Sequence, residues 1–144
     1  MTKNSPSTPD HDPQRLAQVA QKLGLRMVVL FGSRATGRPP PGPDSDIDIA
    51  VLGLPEAEYW DCLEALQKIF PNLLDMVRLE ETDPLFRHEV MHKSVLLWGE
   101  PDRFYEFRAY AYRDFTDAAD LFALERVLFA KKMQWLRKQL GDPP

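Results

Sequence analysis

The sequence predicts an α/β (α+β) domain, in which helices cover a mixed central sheet, followed by a long helical C-terminal region. Between residues 13 and 100, short apolar runs alternate with segments of helical periodicity, a pattern typical of strands alternating with helices. Two helices have clear starting signals, an aspartate followed by proline, at Asp12-Pro13 and Asp83-Pro84. After residue 100, apolar residues recur at helical spacing as far as residue 140.

The individual elements follow from these patterns and from the positions of glycine and proline. The stretch 37–43, Gly-Arg-Pro-Pro-Pro-Gly-Pro, suits neither a helix nor a central strand, so we expect a loop there. Strands are expected over 25–31, 47–52, 73–79 and 94–98, and helices over 13–23, 55–70 and 84–93.

The chain divides into three parts. Residues 1–12 are polar and contain proline, which predicts a disordered lead-in. Residues 13–100 are expected to form the core domain. Residues 101–144 are expected to be a helical extension that packs on the core or on a partner, with a potential break near Thr116-Asp117. The sequence leaves open whether 101–140 is one helix or two.

Composition limits the classes of protein to be considered. No apolar run approaches the ~18 residues of a membrane span, and residues 1–12 lack the apolar centre of a signal peptide. Cys62 is the only cysteine, so an internal disulfide and a cysteine-rich zinc site are excluded. We expect a cytoplasmic protein without membrane association. The net charge of −4 argues against direct nucleic-acid binding, but not against a nucleotide as substrate.

The turn after the first predicted strand contains Gly32, Ser33 and Arg34. A glycine at a strand end lets the backbone approach a ligand closely, and the serine offers a hydroxyl and an amide to an anion. Arg34, and Arg38 in the same loop, add positive charge suited to phosphate oxygens. Most Gly-Ser pairs are plain turns, and for Arg38 a solvated side chain is an equally good interpretation.

Three aspartates complete a candidate metal site. Asp46 and Asp48 share one face of a strand, roughly 7 Å apart, while Ile47 and Ile49 enter the core. Two carboxylates so placed repel each other unless a cation lies between them, and Mg²⁺ prefers hard oxygen ligands. Asp75 lies in an otherwise apolar strand, where a buried carboxylate is costly without a cation or strong donors. The alternative is an exposed edge strand with polar residues pointing outward.

The order Phe31-Gly32-Ser33-Arg34-Ala35-Thr36-Gly37, then Ser45-Asp46-Ile47-Asp48-Ile49-Ala50-Val51, then Asp75, resembles the polymerase-β-like nucleotidyltransferases, and among them the minimal nucleotidyltransferase (MNT) proteins. The resemblance implies that residues 13–100 form a nucleotidyltransferase core with ATP as substrate and two Mg²⁺ ions as cofactors. It assigns nucleotide binding to Gly32 and Ser33, with Arg34 beside them. Metal binding and catalysis fall on Asp46, Asp48 and Asp75, and Asp75 helps to activate the nucleophile.

One spacing departs from that family. Ten residues usually separate the serine from the first aspartate, whereas twelve separate Ser33 from Asp46. The usual count would select Asp44 and Asp46 instead. We reject that register because Asp44 follows Pro43 in the loop, while Ile47, Ile49 and Val51 are in phase with Asp46 and Asp48. We predict that the proline-rich loop carries two extra residues. The role of loop residues 37–45 is left open.

The resemblance extends past the core, to about residues 15–120. Pro84-Leu85-Phe86-Arg87, Val95-Leu96-Leu97-Trp98-Gly99-Glu100-Pro101 and the aromatic stretch beyond Phe104 are similar to the tail of MNT antitoxins, which pair with HEPN-domain toxins. The resemblance implies transfer of AMP from ATP to a tyrosine of a HEPN-family RNase toxin, which neutralises it. The alternatives are a small-molecule hydroxyl acceptor, such as an aminoglycoside, and a non-catalytic binding antitoxin. The sequence determines neither the acceptor nor the preferred base.

A competing motif lies in the short helix predicted over residues 84–93. His88-Glu89-Val90-Met91-His92 matches H-E-x-x-H, which on a helix places both histidines on one face, as a zinc hydrolase requires. A third ligand such as Glu106 would have to come from the next element. Two surface histidines are the simpler interpretation, and zinc hydrolysis is kept as a remote alternative.

The C-terminal region has more apolar residues than one packed stripe requires. Phe104, Phe107, Ala111, Phe115, Ala118 and Phe122 step at helical spacing, and other apolar residues from 121 to 129 spread over more than half of the helix circumference. Burial within the chain is one explanation. The other is a partner, in a homodimer or hetero-oligomer formed through residues 101–140.

Overall fold

The computed structural model describes residues 8–141, which form a four-stranded sheet with helices on both faces. β1 is antiparallel to both of its neighbours, whereas β2 and β3 are parallel, so the sheet is mixed as predicted. The strands are β1 (Met27–Phe31), β2 (Ile47–Leu52), β3 (Leu74–Arg78) and β4 (Val95–Trp98), in the spatial order β3-β2-β1-β4.

Five α-helices accompany the sheet within residues 8–141. They are α1 (Pro13–Lys22), α2 (Ser33–Thr36), α3 (Tyr59–Gln67), α4 (Pro84–His92) and α5 (Pro101–Leu140). Both predicted helix starts are confirmed, because the Asp12 side chain accepts from the Gln14 amide at 2.9 Å and Asp83 accepts from the Phe86 amide at 2.8 Å. The helix predicted from residue 55 begins as a separate 3₁₀ turn, Glu56–Glu58, before α3. Within residues 8–141 no helix has the length and apolarity needed to cross a membrane.

The predicted lead-in lies partly outside the described residues. Residues 8–12 form neither helix nor strand, yet they contact the core. Pro9 is buried, and the His11 ring packs against Phe70 with a centroid distance of 4.9 Å. His11 Nδ1 also lies 2.8 Å from the carbonyl oxygen of Pro9.

The sheet separates two apolar clusters, because successive strand side chains point to opposite faces. Ile47, Ile49 and Val51 of β2 belong to the cluster beneath α1 and α3. Ala50 belongs to the cluster beneath α4 and α5, and Asp48 shares its face of the strand. The acidic residues of β2 and β3 therefore lie on the α4–α5 side of the sheet.

The long C-terminal region is a single helix of 40 residues. The break that we considered near Thr116-Asp117 is wrong, since α5 continues from Pro101 to Leu140. Neither glycine nor proline occurs after Pro101 within α5, so no residue there strongly disfavours a continuous helix.

The first half of α5 is fixed to α4 by arginines. Arg87 donates to the Asp114 carboxylate at 3.1 Å and to the Thr82 hydroxyl at 3.1 Å. Arg108 donates to the carbonyl of Met91 at 3.1 Å and to that of Ser94 at 2.8 Å. These two carbonyls lie where α4 ends, so Arg108 joins the end of one helix to the side of the next.

We expect Arg108→Ala to destabilise the domain by about 1–3 kcal/mol, because it leaves the Met91 and Ser94 carbonyls without this donor. The guanidinium also lies 4.6 Å from the centroid of the Phe104 ring, a packing contact that alanine cannot replace. Urea unfolding followed by circular dichroism measures the change. The matched control is Arg113→Ala, at an exposed position of the same helix. Equal stability of the two variants would contradict the role of Arg108.

Candidate active site

The structure brings the predicted acidic residues together at one end of the sheet. In the strand register Asp48 pairs with Asp75 across β2 and β3, and with Phe31 across β1 and β2. Asp46 directly precedes β2. The Gly-Ser turn begins where β1 ends, beside Asp48, so the carboxylates and the turn meet at the same edge.

Gly32 is required by its contact with Asp48. Its φ of +74° is a conformation that residues with a side chain rarely adopt. A Cβ atom on Gly32 would also lie 2.1 Å from Asp48 Oδ2, well inside contact distance. The carboxylate of Asp48 therefore packs directly against the backbone of the turn, in space that only glycine leaves open.

Burial, and after it the crowding of carboxylates, raises the pKa of Asp48 above its ordinary value of 3.8. Burial contributes most, followed by the negative charges of Asp75 and Asp46 and by a hydrogen bond with the Asp75 carboxyl group. Asp48 is partly buried, while Asp46 and Asp75 are exposed. We expected Asp75 to be buried, with the energetic cost of a buried carboxylate. This is wrong, because the Asp75 side chain is exposed, although its neighbours in the strand, Leu74 and Met76, are buried.

The carboxylates suit a divalent cation that is held only in part by the protein. Repulsion between Asp48 and its two neighbours would be relieved by positive charge, and carboxylate oxygens are the hard donors that Mg²⁺ prefers. Yet no three acidic, histidine or cysteine side chains within residues 8–141 are arranged to hold a metal ion on their own. Mg²⁺ commonly takes one or two carboxylates and completes its coordination with water and substrate phosphates. The residues present fit that second arrangement.

Arg34 lies beside the site but points into the proline-rich loop. Its side chain is buried and donates to the carbonyls of Ser45 at 2.8 Å, Asp46 at 3.3 Å and Gly42 at 3.4 Å. These contacts fix the chain immediately before β2. Arg34 thus positions Asp46, and the direct nucleotide contact predicted for it remains a prediction.

Asn72 shares this task, and sequence reasoning missed it. Its amide donates to the carbonyls of Pro43 at 2.7 Å and Ser45 at 2.9 Å. A lone asparagine before a strand belongs to no motif, and its partners lie 27 and 29 residues away in the chain. The same contacts place exposed Asp44 in the loop, outside the set formed by Asp46, Asp48 and Asp75.

The two histidines of the H-E-x-x-H motif lie on one face of α4, with ring centroids 5.0 Å apart. His88 stacks on Phe115 of α5 at a centroid distance of 4.3 Å, while His92 is exposed. No third metal ligand accompanies them among residues 8–141. The packing of His88 accounts for its position without a metal, so the structure gives the zinc hypothesis no support.

Residues 14–103 match the family model described as polymerase beta, nucleotidyltransferase. The chain belongs to the polymerase-β nucleotidyltransferase family. The matched segment contains the Gly-Ser turn, all three aspartates and every strand of the sheet. A sequence comparison with functionally curated proteins gave no significant match.

Solved structures with the same fold come from toxin–antitoxin complexes. A chain of a toxin–antitoxin complex with AMP-PNP superposes with a TM-score of 0.63 at 21% identity, covering 85% of this chain and 98% of that one. A chain of an MntA–HepT complex superposes with a TM-score of 0.57 at 21% identity, covering 84% of this chain and 96% of that one. A chain from the complex of a tri-AMPylated Shewanella oneidensis HEPN toxin with an MNT antitoxin also superposes with a TM-score of 0.57 at 21% identity. The superposition covers 84% of this chain and 95% of that one. At this identity the likeness shows the shared nucleotidyltransferase fold.

For this nucleotidyltransferase we expect Asp48→Asn to stabilise the metal-free protein at neutral pH. Because the folded-state pKa of Asp48 is raised, wild-type stability is lost as pH rises from about the unfolded value through the folded one. The asparagine variant avoids that loss, and a gain of ~1 kcal/mol would raise Tm by about 2–4 °C.

The gain should disappear at acidic pH, where both carboxyl and amide are neutral. Thermal unfolding in EDTA across a pH series tests this, with Asp44→Asn, at an exposed loop aspartate, as the control. A pH-independent difference between wild type and Asp48→Asn would contradict the assigned cause.

Proposed function

We propose that this nucleotidyltransferase transfers AMP from ATP to a tyrosine hydroxyl of a HEPN-family toxin, and so acts as its antitoxin. The observation that carries the proposal is the pairing of Asp48 with Asp75 directly beside Gly32, within a segment that matches the nucleotidyltransferase family. The choice of acceptor is supported by the toxin–antitoxin complexes that share the fold, one of which contains an AMPylated HEPN toxin.

In the proposed reaction the tyrosine oxygen attacks the α-phosphorus of ATP. The bond from that phosphorus to the bridging oxygen breaks, pyrophosphate leaves, and the phenolic proton passes to a base or to water. Mg²⁺ would neutralise charge on the phosphates when bound. Asp46 and Asp48 would hold it, since the Asp48 carboxylate packs against Gly32 and the charge of Asp46 acts on it.

Ser33 can bind the triphosphate through its backbone amide as well as through its hydroxyl. Ser33 begins α2, so its amide has no acceptor within that helix, and the preceding Gly32 leaves the backbone accessible. Asp75 is exposed opposite Asp48 and can reach an incoming hydroxyl. We assign Asp75 to orienting or deprotonating the nucleophile, an interaction that acts mainly in the transition state.

Labelled ATP distinguishes this reaction from its alternatives. The full chain is incubated with Mg²⁺, a HEPN toxin and ATP labelled at either the α- or the γ-phosphate. The proposal requires the toxin to acquire the α-label but not the γ-label, and to lose it when its acceptor tyrosine is changed to phenylalanine. Label on an added aminoglycoside would favour the small-molecule acceptor, whereas toxin inhibition without label would favour a binding antitoxin.

We expect Asp46→Asn and Asp48→Asn each to reduce AMP transfer by at least about 100-fold, because each removes a carboxylate that would hold the metal ion neutralising the phosphates. Transfer is measured with α-labelled ATP, and folding is checked by circular dichroism. Asp44→Asn is the matched control, since Asp44 lies two residues before Asp46 in the exposed loop. Transfer retained in both variants would contradict the metal assignment.

Asp75→Asn should separate binding from chemistry. We expect Mg-ATP affinity within about tenfold of wild type, a difference of ~1.4 kcal/mol, with AMP transfer almost lost. The reason is that nucleotide affinity rests on Gly32, Ser33 and the cation held by Asp46 and Asp48. Calorimetric titration beside the transfer assay gives both quantities. If binding and transfer fall together, Asp75 is a primary metal ligand instead.

A further inference from the structure

The second half of α5 extends beyond the domain. Ala111 is the last buried residue of the helix, and from Asp120 to Leu140 every residue except Leu136 is exposed. This segment of 21 residues, which we call the arm, is about 30 Å long at the rise of an α-helix. An isolated helix of such length is only marginally stable in water, because nucleation is costly and packing supplies most helical stability.

One row of side chains, which begins at Phe115 and continues along the arm, repeats with the period of a coiled coil. Its positions alternate in steps of four and three residues, and seven of the eight side chains are apolar. We call this the arm row: Phe115, Ala119, Phe122, Arg126, Phe129, Met133, Leu136 and Leu140. A second apolar row, Leu121, Leu124, Leu128 and Trp135, lies on the other side of the helix.

We infer that the arm row binds the arm row of a second copy of this chain, with the two helices antiparallel. The row is complementary to itself in that orientation. When the two-fold axis passes midway between Arg126 and Phe129, each residue of the arm row lies opposite a different residue of the second copy's arm row. The layers are Phe115 with Leu140, Ala119 with Leu136, Phe122 with Met133, and Arg126 with Phe129, each occurring twice by symmetry.

Charge complementarity fixes the orientation. In the antiparallel pair, Glu125 lies opposite Lys132 of the second copy, twice, along one edge of the arm row. Along the other edge Ala123 faces Ala130, and these small residues let the helices approach closely. The single charged residue within the row, Arg126, lies against an aromatic ring, that of Phe129.

The parallel orientation lacks these features. It would place Arg126 against Arg126 of the second copy in the centre of the seam, where like charges repel. It would also set Lys132 near Arg137 and leave Glu125 opposite Ala130. Each of the charged contacts that favours antiparallel pairing thus becomes neutral or repulsive.

A groove beside the domain receives the end of the second arm. An open depression of about 780 Å³ lies between Leu85 of α4 and residues Phe115, Phe122 and Phe129 of α5. Leu85 is 45% exposed there. In the antiparallel pair, Leu140 of the second copy lies opposite Phe115 and so covers the end of this groove, while the two domains lie at opposite ends of the pair.

Charge exchange at exposed positions tests the pairing without disturbing the fold. We expect Glu125→Lys and Lys132→Glu each to raise the dimer dissociation constant of the full chain at least about tenfold at low salt, because each creates two repulsive pairs. The double variant should return to within about threefold of wild type, since both pairs are again attractive. Sedimentation velocity over a concentration series gives the constants. Leu128→Ala, on the other apolar row, is the control and should change little.

Cysteine pairs test the orientation. Mixed samples of Ala123→Cys and Ala130→Cys should form a disulfide between the two variants, whereas neither variant should link efficiently to itself; native Cys62 is fully buried. In the arm row itself, Ala119→Cys should not link to itself, because the antiparallel pair sets it opposite Leu136. Self-linked Ala119→Cys would mean parallel helices, which set the two Ala119 positions opposite each other, and would overturn the proposal. So would a wild-type chain that stays monomeric throughout the series, or one whose arm row binds only a HEPN toxin and loses it in Phe129→Glu.

Discussion

The site depends on one close contact, the carboxylate of Asp48 against the backbone of Gly32. A side chain at Gly32 would collide with Oδ2, and the positive φ there excludes most other residues. Strand pairing holds Asp48 in place on both sides, against Phe31 in β1 and Asp75 in β2's parallel neighbour β3. The sheet thereby keeps negative charges together that would separate if they were free, and it keeps them beside the turn.

The clustered carboxylates destabilise the fold, and contacts elsewhere in the domain offset this. The raised pKa of Asp48 shows that burial and neighbouring carboxylates disfavour its charged form. The opposite face of the sheet is an apolar layer in which Ile47 and Ile49 are fully buried. Arg34 and Asn72 hold the loop that leads into β2 by donating to its carbonyls. The side of β2 that holds Ile47 and Ile49 thus contributes burial alone, while the side that holds Asp48 also carries the charge that a bound cation and nucleotide would balance.

The helix α5 belongs to two kinds of environment. Its first half is part of the domain, because Phe104 and Ala111 are buried in the cluster between the sheet and helices α4 and α5. Arg108 also donates hydrogen bonds to carbonyls at the end of α4. Its second half makes few contacts with the rest of residues 8–141, so the apolar residues there gain little burial from this fold. The change occurs near Phe115, whose ring still packs on His88. The folded core therefore presents the arm as an extension whose exposed surface another helix can cover.

The sequence by itself determined the elements, the mixed class and the position of the acidic residues, because these depend on local periodicity and on starting signals such as Asp12-Pro13. It also favoured Asp46 and Asp48 over Asp44 through the phase of the neighbouring isoleucines. Only the tertiary structure decided which carboxylate is partly buried, that Arg34 points into the loop with Asn72, and that α5 is continuous. Burial and hydrogen-bond partners depend on residues that are distant in the chain, and no local pattern contains them.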